Sequence, residues 1–365
     1  MSASNDLVAA PSMAEPGTTS EVALAGARSN NFDAIRVVAA LSVIFSHQLF
    51  FVGRAQPLFA GFSLGEIAVM AFFVISGFLV ADSWYRDPHL VRFILRRFLR
   101  IWPALAVATL VIALAAVLVS TLPPHGYFGH ATRHFIASNL QLQVVYDLPG
   151  VFAGSTAPAM VAVNGSWWSI PLEVKCYLYI ALLGLIGLRR RWISLLALAV
   201  VGFLCFQTLP GHAQANALHH LKYLCTGFFV SGLCARQFVG TLRRHPVAWG
   251  CGGLALLVGS SVAGQDDLLV WVVIAPVVLF LGSLSTPWVR SASRFGDLSY
   301  GIYIYAYFVQ QLSVRYWPGG STYWGSVAVS ILVTAGLAWL SWHAVEAPAL
   351  GLKRHLRKWF PDRAI

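Results

Sequence analysis

This sequence has little charge. Only 11% of its 365 residues are Asp, Glu, Lys or Arg, where a soluble domain carries about a quarter, so a water-soluble enzyme of this size is excluded. Of the charged residues, 14 are Asp or Glu and 25 are Lys or Arg. The five cysteines, Cys176, Cys205, Cys225, Cys234 and Cys251, fall at irregular spacing within apolar segments. That excludes a disulfide framework and a zinc knuckle, predicts free core thiols, and leaves no metal expected. Residues 1–30 lack a basic stretch leading into an apolar core, so they read as a disordered cytoplasmic tail and not as a signal peptide. No internal repeat is visible, which weighs against transporters built from inverted halves.

What is present is apolar length. Apolar residues make up 58% of the chain and the mean hydropathy is +0.69, values of a polytopic membrane protein. Ten segments are long enough, or nearly so, to span: 33–53, 64–84, 103–122, 166–188, 192–210, 218–236, 246–263, 268–286, 299–317 and 323–345. The fourth is interrupted by polar residues and the seventh is short. The net charge of +11 does not point to nucleic acid, because the basic residues form short runs between apolar segments. One set of loops collects Arg86, Arg92, Arg96, Arg97 and Arg100, then Arg189 to Arg191, Arg236, Arg243, Arg244, Arg290 and Arg294, besides Arg28 and Arg36 near the start. The tail adds Lys353, Arg354, Arg357, Lys358 and Arg363, whereas the opposite loops and helix ends keep only Arg54, Arg133, Lys222 and Arg315. By the positive-inside rule both termini are cytoplasmic. The expected fold is an all-α integral membrane protein of about ten transmembrane helices. Residues 31–350 form the membrane domain and 351–365 a basic cytoplasmic tail, whose stretch from Lys353 to Lys358 suits anionic lipid.

The first segment carries Arg36 near one end and His47 well inside, eleven residues apart. On a helix that spacing puts both on nearly one face, about 16 Å apart in depth. Ionisable groups at such depths signal function, although a snorkelling Arg and a His satisfied by a carbonyl would look the same. Asp33, one turn before Arg36, is placed to pair with it. The longest external connection, 123–165, has turn-rich ends and a central 130–146 that reads as a short amphipathic surface helix, a candidate acceptor lid. Its His125, His130 and His134 have no H-E-x-x-H setting and read as solvent-facing. No G-x-S-x-G surrounds Ser76, so Ser76 and Gly77 suit helix packing better than nucleophilic catalysis.

Six short motifs then arrive in order. They are Phe32-Asp33-Ala34-Ile35-Arg36 with His47, Phe72-Phe73-Val74-Ile75-Ser76-Gly77-Phe78, and Arg96-Arg97-Phe98-Leu99-Arg100-Ile101-Trp102-Pro103. After these come Trp168-Ser169-Ile170-Pro171-Leu172-Glu173, Ser299-Tyr300 with Tyr303, and Val345-Glu346-Ala347-Pro348. Together they resemble acyltransferase family 3, the ten-helix integral-membrane O-acyltransferases of surface and exopolysaccharides, over essentially all of 31–350. One departure stands out. Many members carry a His shortly after the Ser-Tyr element, where this chain reads Tyr305-Ala306-Tyr307 and then Gln310-Gln311, so chemistry assigned to that second His does not transfer.

The resemblance implies transfer of an acyl group, acetyl from acetyl-CoA, to a sugar hydroxyl of a glycan or lipid-linked oligosaccharide at a bacterial inner membrane. The residues agree with it. Coenzyme A carries phosphates, which planar guanidiniums recognise well, and Arg36, Arg96, Arg97 and Arg100 lie at the inner side. Pro103 is expected to end a short helix there against the membrane. Arg92, Arg189 and Arg190 read instead as arginines facing lipid phosphates. His47 is the candidate general base, and Glu173, the one carboxylate well inside a span, is the candidate to orient it. Counted from the outer helix ends, both lie roughly 9 Å deep, which permits contact. Glu173 could instead pair with Lys175. Gln310 and Gln311 could hold the acceptor or the thioester oxygen, or join helices. A proton-coupled transporter or flippase of a lipid-linked saccharide, with His47 and Glu173 as relay, is the competing reading, and a non-catalytic acyl-CoA sensor is a third.

Overall fold

The computed structural model describes residues 30–154, 158–209, 216–262, 264, 266–287, 296–320 and 322–361. The expected disordered tail and the positions Arg28, Arg290, Arg294 and Arg363 lie outside the described residues. The long helices are α1 (Phe32–Phe51), α2 (Leu64–Arg86), α3 (Leu90–Ala115), α4 (His130–Leu140), α5 (Ser169–Ile186), α6 (Arg191–Gln207), α7 (Ala217–Arg244), α8 (Pro246–Val262), α9 (Asp266–Ser283), α10 (Ser299–Tyr316) and α11 (Tyr323–Ser341). Every one of the ten apolar segments is a helix. Among the described residues six stretches are long and apolar enough to cross a bilayer: 32–51, 64–86, 90–119, 165–186, 266–283 and 323–359. The only sheet among the described residues is a two-residue hairpin, Leu58–Phe59 with Phe62–Ser63.

Local chemistry sets the helix starts. Ser63 and Glu66 form a reciprocal capping box on α2, the Ser63 hydroxyl accepting from the Glu66 amide and the Glu66 carboxylate accepting from the Ser63 amide at 2.8 Å. Asn216 caps α7 by accepting from the His219 amide at 3.0 Å. The third segment departs from expectation, because α3 begins at Leu90 and passes straight through Pro103. Proline is tolerated in a membrane helix; its missing N–H leaves the Leu99 carbonyl without its helical donor, and α3 nonetheless continues to Ala115.

At the centre α2 packs on α7, α1 and α9, while α10 packs between α1 and α11. Gly77 of α2 and Gly232 of α7 make the α2–α7 crossing possible. A Cβ on Gly77 would lie 1.9 Å from the Phe229 carbonyl oxygen, and one on Gly232 would lie 2.1 Å from that of Val74, so any larger residue forces the helices apart. Helix α10 is buried almost throughout, from Ser299 to Ser313, which explains how it can carry tyrosines and two glutamines inside the bundle. Helix α8 lies at the periphery, and its Cys251 is exposed, unlike buried Cys176, Cys205 and Cys225. The expectation of core thiols fails there because, among the described residues, nothing covers that face of α8.

The connection 123–165 is only partly external. Helix α4 stops at Leu140, short of the expected 146, and Leu142 turns the chain with a φ of 62°. Farther on, residues 158–168 thread into the bundle beside α10. The Gln311 amide donates to the carbonyls of Ala159, Met160 and Ala162 at 3.2, 3.1 and 3.0 Å. Deeper, the Trp167 indole donates to the Ile304 carbonyl at 2.9 Å and the Tyr303 hydroxyl to that of Ser166 at 2.5 Å. Irregular backbone at such depth is stable only when protein satisfies its polar groups. The last part of the supposed lid is therefore a wall of the core.

Candidate active site

A chamber of about 590 Å³ opens among α1, α2, α3, α5 and α10. Arg36, Arg100, Ser299 and Tyr300 line one end, Ser76, Glu173 and Tyr177 the middle, and Val69, Phe72, Ser169 and Tyr303 the other end. Five of the six motifs contribute a wall residue. Trp168, from the same motif as Glu173, is half-buried against the core and lines no part of the chamber.

The arginine end is neutralised from two directions. Arg36 pairs with Asp297 at 3.0 Å, not with Asp33 as its spacing suggested. The correction has a tertiary cause, since Asp297, two residues before α10, also takes the guanidinium of Arg100 and the hydroxyl of Ser299. Burial alone would push the Asp297 carboxyl up, but Arg100 and then Arg36 outweigh it and hold it down at about 2. Arg100 also faces Glu346 at 3.6 Å, and Glu346 accepts from Ser341 at 3.1 Å. Neither acid was singled out from the sequence, although Asp297 adjoins the Ser-Tyr motif and Glu346 is the acid of the terminal motif. A signal existed in the scarcity of acids itself.

A second cluster lies one turn back along α3. Asp87 takes the guanidiniums of both Arg92, at 2.5 Å, and Arg96. These pairs lower the Asp87 carboxyl against the upward push of burial. Arg92 is 2% exposed and so does not face lipid, in contrast to exposed Arg189 and Arg190; the carboxylate in the short α2–α3 link recruits it inward. Arg97 differs from all its neighbours. Among the described residues it has no hydrogen-bond or ion-pair partner, its Nε is buried and unsatisfied, and its guanidinium lies 5.9 Å from the Phe93 ring and 5.7 Å from the Tyr177 ring. It lines a second, apolar cavity of about 520 Å³ that shares Ile101 and Tyr177 with the first.

Glu173 and His47 are not joined. Glu173 accepts from the Ser76 hydroxyl at 2.8 Å and from the Tyr177 hydroxyl. Lys175 is exposed and does not pair with it. The depth argument failed because α5 is preceded by the threaded segment 158–168, so the start of the helix does not mark the membrane surface. His47 contacts rings instead, Tyr307 edge-on at 5.3 Å and Phe51 at 6.3 Å. Its Nδ1 is buried without a partner. Tyr307 is one turn, roughly 6 Å, along α10 from chamber-lining Tyr303, and His47 itself does not line the chamber. Gln310 donates to the Ile44 carbonyl and to Gln48 at 2.8 Å each, and Gln311 holds the threaded carbonyls, so both amides join segments.

His130 and His134 are exposed and stack on each other. Cys205, His220 and Asp267 gather elsewhere, their donor atoms within 4.8 Å of one another. Both imidazole nitrogens there already have partners, Asp267 at 3.0 Å on Nε2 and Thr208 at 3.1 Å on Nδ1.

Comparison with known proteins agrees with this architecture. The profile of the acyltransferase-domain family matches residues 29–343. An O-acetyl transferase of Shigella phage Sf6 is 29% identical over 87% of this chain and 95% of its own length. Nodulation protein 10 of Rhizobium leguminosarum bv. viciae is 30% identical over 90% of this chain and 95% of its own. Acyltransferase MdmB of Streptomyces mycarofaciens is 30% identical over 43% of this chain and 41% of its own. No solved structure gives a significant match.

Proposed function

The chain belongs to acyltransferase family 3 and is an O-acyltransferase, and from that premise we propose that it moves an acetyl group from cytoplasmic acetyl-CoA to a hydroxyl of a cell-surface or exopolysaccharide glycan. The name of the phage relative, O-acetyl transferase, supports acetyl as the group moved. In this reading ten helices span a bacterial inner membrane with both termini cytoplasmic, as the distribution of Lys and Arg favours. The acceptor is a lipid-linked saccharide or growing repeat held against the membrane.

One observation carries the chemistry: a buried imidazole nitrogen without a partner lies against Tyr307, one turn along α10 from the Tyr303 that lines a chamber whose opposite end is cationic. Acetyl-CoA would enter from the arginine end, Arg36, Arg96, Arg97 and Arg100 receiving its phosphates, with the pantetheine arm running up the chamber past Ser76 and Glu173. At the far end the acceptor oxygen attacks the thioester carbonyl as neutral His47 takes its proton. The tetrahedral adduct then expels the CoA sulfur, which is protonated as it leaves. Tyr307 and Phe51 fix the imidazole plane, and Glu173 belongs to the wall of the donor channel.

The test is His47→Ala in purified protein. Acetyl transfer from labelled acetyl-CoA should fall by about 10²–10⁴-fold while CoA still binds; undiminished turnover would end the assignment. Mass spectrometry of the host's surface glycans with and without the gene identifies the acceptor.

A further inference from the structure

Most of the arginines on the chamber side of α3 have a carboxylate, and Arg97 does not. A second cation shares this condition. The segment Leu352–His355 packs on α3. Leu356 is buried, and Arg92 donates to the Phe360 carbonyl at 2.7 Å, which straps the C-terminal segment down. Lys353, expected to lie on lipid with Lys358, is half-buried instead, whereas Arg354, Arg357 and Lys358 are exposed. Among the described residues Lys353 has no ion-pair or hydrogen-bond partner. Glu346 meets Arg100 and the Phe360 carbonyl meets Arg92, so the chain runs back along α3 between them, and Lys353, midway between these two contacts, comes alongside the turn that carries Arg96 and Arg97. Asp297, Glu346 and Asp87 are already committed to Arg36, Arg100, Arg92 and Arg96.

A half-buried ammonium alongside a guanidinium, with no acid to balance either, is a costly arrangement for a fold to keep. A phosphate group reverses that cost, since it is doubly charged and accepts several charge-assisted hydrogen bonds. We propose that Lys353 and Arg97 form the phosphate-binding pair of this protein, the tail segment bringing its lysine to the unpaired arginine of α3 so that together they take a phosphate at the nucleotide end of the acyl donor. This rests on the donor reading above and refines it: Arg36 and Arg100 are held by Asp297 and Glu346 and shape the channel, whereas the two uncompensated cations supply the affinity. The C-terminal segment is then part of the donor site.

The test is binding of CoA, and of inorganic pyrophosphate, to the full chain in neutral-lipid nanodiscs. Lys353→Gln is compared with Lys353→Arg and with Lys358→Gln as an exposed control. Lys353→Gln should weaken CoA about tenfold, as expected for loss of a charge-assisted contact, and weaken pyrophosphate in parallel. Lys353→Arg should restore most of the affinity and Lys358→Gln should leave it unchanged. The thermal midpoint of ligand-free Lys353→Gln should hold or rise, because a like charge has been removed; a merely structural lysine would lower it. Equal CoA affinity in wild type and Lys353→Gln, or a fall in that midpoint, overturns the pair and leaves the donor reading standing. Pyrophosphate binding that depends on Lys353, in a wild-type protein that does not bind CoA, sinks the donor reading while the anion site stands. Phosphatidylglycerol in the nanodiscs should not change CoA affinity. A Lys353-dependent loss on adding it assigns the pair to lipid headgroups and overturns the nucleotide assignment.

Discussion

The two ends of the bundle are fastened by different means. At the arginine end, Asp297 and Glu346 draw α1, α3, α10 and the turn after α11 together through Arg36 and Arg100, and Asp87 gathers Arg92 and Arg96. At the His47 end no such pairs occur among the described residues around α1, α10 and α11. Gln48, Gln310, Gln311 and Ser330 tie α1, α10, α11 and the threaded 158–162 through amides, carbonyls and hydroxyls. The difference follows the proposed chemistry. A region that admits phosphates needs cations, and cations at depth need acids to hold them in place when the anion is away. A region that handles a neutral hydroxyl is better served by fixed dipoles, which leave the His47 Nδ1 without a competing partner.

Breaking the charged end should have the largest effect. Asp297→Ala strands two guanidiniums and is expected to destabilise the protein by about 3–5 kcal/mol, read as a thermal midpoint in detergent. A loss no greater than that from cutting an amide contact would contradict the comparison.

Acid should sharpen it. The Asp297 carboxyl is held down at about 2 from an ordinary 3.8, so its contribution is complete above about pH 4 and is lost as pH falls through about 2. The shift is worth on the order of 2 kcal/mol. Asp297→Asn does not titrate, so the gap in midpoint between wild type and this variant should stay constant from neutrality to about pH 5 and close below pH 4. A gap that widened on acidification would mean that the pairs do not act as described.

At the other end, Gln311→Leu removes one donor from the Ala159, Met160 and Ala162 carbonyls. The expected cost is smaller, about 1–3 kcal/mol, and should be local, seen as faster hydrogen exchange over 158–164 with little change around Asp297. Equal acceleration at both ends would show that the two regions are not fastened independently.

Much of this was legible before any coordinates. The apolar runs marked where helices form, and six helical stretches among the described residues are long and apolar enough to span, because a membrane span is a matter of length and hydropathy along one stretch of chain. The motifs led to the chamber, since five of them supply its walls. The errors share a cause as well: Asp33 for Arg36, Glu173 for His47 and Arg92 for lipid were each argued from spacing or depth along a single helix. A helix fixes which residues share a face, but a carboxylate chooses among all cations that packing brings within reach. The scarcity of acids made that choice decisive, and nothing local announced that Asp297 would hold both Arg36 and Arg100.

By itself, then, the sequence determined that the chain is helical and membrane-embedded, that it belongs among acyltransferases, and which motifs meet at a site. Only the tertiary structure decided that residues 158–168 thread into the core, that Glu173 bonds Ser76 and Tyr177, and that Arg97 and Lys353 meet no acid among the described residues. Hydropathy and periodicity are properties of one segment at a time. Ion pairing and burial depend on how distant segments pack, and that information lies in no single stretch of the chain.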